Sequence, residues 1–514
     1  MKFNRPCCRS ASTPKHEANM RNHEYQTEGG CACGCNRRDF IARVSLAMGA
    51  MSFTTLAVDA ADPTTLPVRK KQGAVVRAAF LYTPSKQMAD DPNGWWSWPG
   101  NDYDAEGHQK KYAAAIGEME KKLGMKILVE PKPIGDADGV QRFLQAVDAD
   151  HPDGVLLVLL HNFTLAHADK ILQSVEKAGI PAVFYIGLGV KHGPVGQYRR
   201  PGLYFIQSMD NFEAIEYGMR MINTKKLLGQ SRILSVTEGE PKQFTDKFLG
   251  VTTQVVPFDR YAAAFAKADI GDAAHRLLKG VTGNAREVRT TQESLENAMR
   301  AYFTLRKLLA DENADGLTMN CLKRGMLKPC LGFSLLNSAL IPAACENDFA
   351  AAHGQMLRQL LLGRPGFQHN PAFETESNHY YASHCTCPTK LYGPEGAELP
   401  YLLRRFFHTN EGSTAVQVFW KPGDLVTMMH YYAGAEPALD VYSGKVVKSH
   451  EMPPAGGCTT NVEIEITDRP DVCMVKGHHN LLFCGDHARK FQHFARLYKM
   501  QLQEGEKTNY KDPV

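Results

Sequence analysis

From residue 74 onward the chain alternates short apolar runs with amphipathic stretches, and this alternation limits the fold more than any other feature. Ala74–Tyr82, Lys126–Glu130, Gly154–Leu160, Pro181–Gly187 and Leu203–Ser208 read as strands buried on both faces, because the apolar residues run on without a polar alternate. Between them, Glu106–Leu123, Gly139–Asp148, Ala166–Ala178 and Asn211–Lys225 carry the helical period. A second series starts at Arg232–Val236 and continues through Val251–Asp259, a helix near Thr291–Asp311, Asp315–Asn320, a helix near Cys330–Ser338, Ile341–Cys345 and a helix over Asp348–Leu362. Strands alternating with helices predict parallel sheets.

After residue 371 the texture changes to Tyr and Thr alternation with many turn residues. Ala415–Trp420, Leu425–Tyr432, Ala438–Val447 and Asn461–Thr467 read as antiparallel strands, with a closing helix over Asp486–Leu502. The expected fold is α/β: two Rossmann-like doubly wound lobes, residues 61–225 and 226–370, followed by a β-rich, barrel-like C-terminal domain, residues 371–514.

Residues 1–60 read as an address. Arg37-Arg38 precedes a mostly apolar run, Phe40–Val58, which ends in the small residues Ala60-Ala61. The run contains Arg43 and is short for a membrane span. A twin-arginine export signal is expected, with a periplasmic or extracellular mature protein and no membrane association after signal removal. The net charge of +4 over 514 residues, without a basic face, argues against nucleic acid as a partner. Of 13 cysteines, five lie in the leader; the other eight lack paired Cys-x-x-Cys spacing, and most read as buried free thiols in apolar runs, with one or two disulfides left open by the oxidising compartment.

Acidic residues directly after a buried strand mark a site, since ligands bind at the carboxyl ends of strands in an open α/β sheet. Ile341-Pro-Ala-Ala-Cys-Glu-Asn-Asp348 places Glu346 and Asp348 there as site candidates, Asp348 more readily as the cap of the next helix. His384 lies in Ser-His-Cys-Thr, and His478 and His479 lie in Lys476-Gly-His-His. Adjacent histidines alternate across a strand, so one faces inward and one outward. A carboxylate with imidazoles suits a divalent metal of the manganese type, and less specifically magnesium, cobalt or iron. Trp95, Trp96 and Trp98 crowd one loop, where they either stack on sugar faces or pack at a domain interface. His161, after the third strand, reads as packing.

Cys-Glu-Asn-Asp after an apolar strand, a Phe-x-x-x-Pro step at 367–371, Ser-His-Cys-Thr and a late Gly-His-His, in that order, resemble the L-fucose/L-arabinose isomerase superfamily over residues 315–490. The resemblance implies a divalent metal, usually manganese, and aldose–ketose interconversion through an ene-diol on a monosaccharide or small glycan, in a homo-oligomer. It implies Glu346 as ligand and acid/base carboxylate, His384 and His479 as ligands, and His478 as a substrate-side neighbour. Asn370 stands where the family has an acidic ligand; an amide oxygen coordinates a hard cation but is no general base. Glu374 or Glu376 then takes over the acid, or the fold serves a changed chemistry such as glycosidic cleavage, or non-catalytic sugar binding.

Overall fold

Strands Val75–Leu81 (β1), Lys126–Val129 (β2), Gly154–Leu159 (β3), Ala182–Gly187 (β4) and Leu203–Ser208 (β5) form the first sheet. They pair in the order β2-β1-β3-β4-β5, every pair parallel. The computed structural model describes residues 69–92, 100–322, 324–406, 413–451 and 457–502. The apolar runs are continuous because successive side chains leave opposite faces and both faces are covered. Val76, Ala78 and Phe80 of β1 enter one core, whereas Ala79 and Leu81 enter another. The intervening helices begin on polar side chains that accept from otherwise unpaired amides: Asp104 from Gly107, Asp136 from Gly139 and Asn211 from Ala214.

The second lobe contributes Arg232–Thr237 (β6), Gln243–Thr245 (β7), Thr252–Pro257 (β8), Val288–Arg289 (β9), Gly316–Met319 (β10) and Ala343–Cys345 (β11). Its sheet runs β11-β10-β6-β8-β7, parallel except for the antiparallel edge strand β7. Strand β11 is the opposite edge, and its carboxyl end carries Glu346. Among the described residues, no helix is long and apolar enough to cross a membrane.

The remaining strands are Phe367–Glu374 (β12), His379–His384 (β13), Tyr401–Arg405 (β14), Thr414–Val418 (β15), Leu425–Tyr432 (β16), Ala438–His450 (β17), Thr460–Ile466 (β18), Asn480–Cys484 (β19) and Gln501–Leu502 (β20). Six of them close on themselves as β12-β13-β18-β17-β16-β19, every pair antiparallel, giving a C-terminal barrel. Closure removes the exposed strand edges. Phe367, Tyr380, Ala382, Met428, Val462, Ile464 and Leu482 belong to one core inside this ring.

Sequence expectations and structure differ in three places. The stretch around 371–378 read as turn-rich, yet it holds the β12–β13 hairpin, and the expected boundary at 370/371 falls inside β12. Strand β15, expected beside the other C-terminal strands, instead pairs with β14, which pairs with β9 of the second lobe. The closing helix spans only Ala488–Leu497, because Lys499 turns left-handed at φ 57 and the chain returns as β20.

Candidate metal centre

The site begins with a tight corner. Strand β11 ends at Cys345, and both Glu346 (φ 63) and Asn347 (φ 56) adopt the left-handed conformation. Asp348 N donates to Cys345 O at 3.2 Å, so the chain reverses within two residues. Each such residue costs an L-amino acid about 1–2 kcal/mol. Asn347 offsets this by tying the corner sideways: its N–H donates to Met319 O on β10 at 3.0 Å, and its Oδ1 accepts from Ser235 Oγ on β6 at 2.6 Å. Asp348 Oδ1 then caps helix Phe349–Leu362 by accepting from Ala351 N at 2.8 Å.

The barrel supplies two imidazoles. His384 closes β13, with Nε2 3.6 Å from Glu346 Oε1. His479 stands just ahead of β19, with Nε2 3.5 Å from Glu346 Oε2. These three side chains each offer an atom within 4.8 Å of the others. The loop carrying His479 is held from below: His430 Nδ1 donates to His479 O at 2.7 Å. Gly477, at φ 97, lets the chain pass where a Cβ would lie 2.8 Å from the His430 ring.

Charge organises the cluster. His384 and His479 hold the Glu346 carboxyl down at about 2. Burial would lower the pKa of His384, but Cys345 and Glu346 outweigh it and raise it well above the usual value. Burial would likewise lower His479, and Asp348 with Glu346 raises it. Asp348 Oδ2 lies 2.7 Å from His479 Nδ1, which keeps a proton on that nitrogen and turns Nε2 toward Glu346. The side chains of His479 and His384 are 2% and 5% exposed and that of Glu346 is 25% exposed, so solvent reaches the cluster past the carboxylate.

Asn370 lies on β12, paired with Ser383 of β13. Gln368 and Asn370 leave the same face of β12, and Gln368 Oε1 accepts from Cys345 N at 2.8 Å, so this face meets the strand that carries Glu346. Asn370 Oδ1 is buried without a hydrogen-bond partner. His369 leaves the opposite face into the barrel, where its Nε2 lies 2.8 Å from Tyr380 Oη and its Nδ1 3.1 Å from Phe367 O. Asn480 Nδ2 donates to the same phenol oxygen at 3.1 Å. Burial depresses His369 to about 3, so it is neutral, with the proton on Nδ1 and the phenol donating to Nε2.

The other sequence candidates lie elsewhere. Glu374 ends β12 opposite His379, and Glu376 follows in the turn, its N–H donating to Glu374 Oε1 at 3.1 Å. Both are exposed at the hairpin tip, about 13 Å along the strand from Asn370, so the structure does not bring them to Glu346. The His478 ring is 4.5 Å from that of His479 but is itself exposed; the pair sits on a bend before β19 rather than within a strand. Trp95, Trp96 and Trp98, and the twin-arginine segment, lie outside the described residues. His161 is buried and stacked on Phe163.

Sequence reasoning favoured the cap for Asp348 over a place in the site, whereas Asp348 has both duties, and it missed the His369–Tyr380–Asn480 network. Strand periodicity held a signal for the latter, since Tyr380 and His384 share a strand face. The donor set of one carboxylate and two imidazoles fits a divalent cation of intermediate hardness, and the buried His479 Nε2, without a hydrogen-bond partner, is a ready ligand atom. Compared with protein-family models and with curated protein sequences, the chain finds no match.

Proposed function

We propose that this protein is a metal-dependent carbohydrate-active enzyme of the aldose–ketose isomerase type, with manganese at Glu346, His384 and His479 and Asn370 as an additional oxygen donor. Its substrate is a monosaccharide or small glycan, its two lobes are Rossmann-like, and it works as a homo-oligomer exported by the twin-arginine route. The convergence of Glu346, His384 and His479 at the carboxyl end of β11 carries this reading.

The cation, when bound, polarises the sugar carbonyl and acidifies the adjacent C–H. Asp348 fixes the His479 tautomer, so that Nε2 is available as a donor without rotation of the ring. Glu346, the most exposed of the three, faces the entry and moves the proton between C2 and C1 of the sugar. One carboxylate performs both transfers, because the amide of Asn370 cannot take a proton. The low pKa of Glu346 makes it a weak base, which places the burden of the reaction on acidification of the C–H.

The experiment is incubation of the purified protein with a panel of aldopentoses and aldohexoses in D2O, with and without Mn2+, read by NMR. Manganese-dependent ketose formation with deuterium at C1 or C2, lost in Glu346→Gln, is the expected result. Binding without exchange across the panel, or sugar release from oligosaccharides that ignores the metal, would overturn it.

A further inference from the structure

Glu346 and His384 each have a cysteine as a chain neighbour, and these two thiols meet behind the carboxylate–histidine cluster. Cys345 Sγ, Cys385 Sγ and one nitrogen of His384 lie within 4.8 Å of one another. The imidazole divides two environments: Nδ1 is 3.5 Å from Cys385 Sγ, while Nε2 faces Glu346 Oε1 at 3.6 Å. Three further thiols, those of Cys321, Cys330 and Cys458, belong to the same packed cluster.

The five cysteines come from five places in the fold. Cys321 follows β10, Cys330 opens helix Cys330–Ser338, Cys345 ends β11, Cys385 follows β13, and Cys458 precedes β18. A single buried cysteine is ordinarily a small apolar side chain, but this group has polar company that apolar packing does not explain. Lys328, only 4% exposed, donates to Cys321 O at 2.7 Å and lies 4.7 Å from the centre of the Phe406 ring. Among the described residues, no carboxylate pairs with this buried ammonium, and a buried charge is costly without a counter-charge. Ionised sulfur would supply it.

We infer that Cys345, Cys385 and Nδ1 of His384, joined by Cys321 on binding, hold one thiophilic divalent cation of the zinc class. Sulfur and imidazole donors select such ions over manganese or magnesium. On binding, each of the three thiols releases its proton to solvent as its sulfur bonds to the cation, and no electron changes hands. Three thiolates, a neutral imidazole and a dication sum to one negative charge, which Lys328 balances. The site cross-links β10 and β11 to the barrel and holds His384 by the nitrogen that the oxygen-rich site does not use. With both sites filled, His384 would release its second ring proton to solvent and offer one nitrogen to each cation.

The test is loading the purified full chain with Co2+ as a spectroscopic stand-in for Zn2+, followed by chelator washing. About one equivalent retained per chain, with thiolate-to-cobalt charge-transfer absorption that disappears in Cys345→Ser and Cys385→Ser and persists in Glu346→Gln, is the expected result. Persistence in the Glu346 variant also keeps this inference distinct from the isomerase reading. Where a cysteine variant fails to fold, alkylation of the parent chain followed by mass spectrometry decides: Zn2+ should protect Cys321, Cys345 and Cys385 at least tenfold over the stripped protein. Cobalt binding without a thiolate band, equal alkylation with and without Zn2+, or disulfides among these three cysteines would overturn the site.

Discussion

Asp348 holds His479 from behind at 2.7 Å with one carboxylate oxygen while the other caps helix Phe349–Leu362, so one residue links the start of a helix to the orientation of a candidate ligand. The two duties separate by substitution. In Asp348→Asn the amide still caps, because Asn and Asp are comparable at that position, but the charge opposite His479 is lost. Manganese affinity measured calorimetrically should fall about 10–100-fold, as it does when such supporting partners are removed, with little change in melting temperature. Asp348→Ala should lose the affinity and also about 1 kcal/mol of stability. An Asn variant that binds as tightly as the parent would show that Asp348 serves the helix alone.

The titration of the three-residue cluster has a definite sign. Glu346 is depressed from 4.5 to about 2, so its contribution is present above about 4.5 and is lost as pH falls toward 2. His384 and His479 are raised from 6.5, so theirs is full below 6.5 and is lost as pH rises through their folded values. In chelator-treated protein, the stability difference between the parent and Glu346→Gln should therefore peak between about pH 4.5 and 6.5 and shrink on both sides. Denaturant unfolding across pH measures it, and a difference that grows steadily into alkali would contradict the arrangement. Manganese competes with the histidine protons, so its affinity should rise over the pH range in which the stability difference falls.

Asn370 offers a buried, unpartnered oxygen on the β12 face that meets the Glu346 corner. Asn370→Asp adds charge to the donor set and should tighten manganese roughly tenfold, whereas Asn370→Ala should weaken it. Equal affinities for all three proteins would remove Asn370 from the coordination sphere.

Tyr380 Oη serves His369 and Asn480 together in the barrel interior. Tyr380→Phe keeps the ring but strands two buried polar groups, which should cost about 1–3 kcal/mol in urea unfolding. A change below a few tenths of a kcal/mol would mean that these groups find other partners.

Much of the parallel framework was legible locally. A strand buried on both faces announces itself as an unbroken apolar run, as Gly154–Leu159 does, and a capping residue such as Asp136 marks the following helix. Glu346 stood out because it follows such a run, and Asp348 because of what Asp does before a helix. These properties depend on neighbours a few residues away.

What the tertiary structure decided depends on partners far off in the chain. Closure of the barrel rests on β12 pairing with β19, two segments whose own patterns do not name each other. The β12–β13 hairpin fixes which of His369 and Asn370 turns inward, since a shift of one residue would exchange their faces. The thiol patch is the extreme case: five cysteines without metal-binding spacing share one cluster because the edge of a parallel sheet meets the barrel where β13 ends and β18 begins. Periodicity determines which face a residue can leave by; only packing between distant segments determines what that face meets.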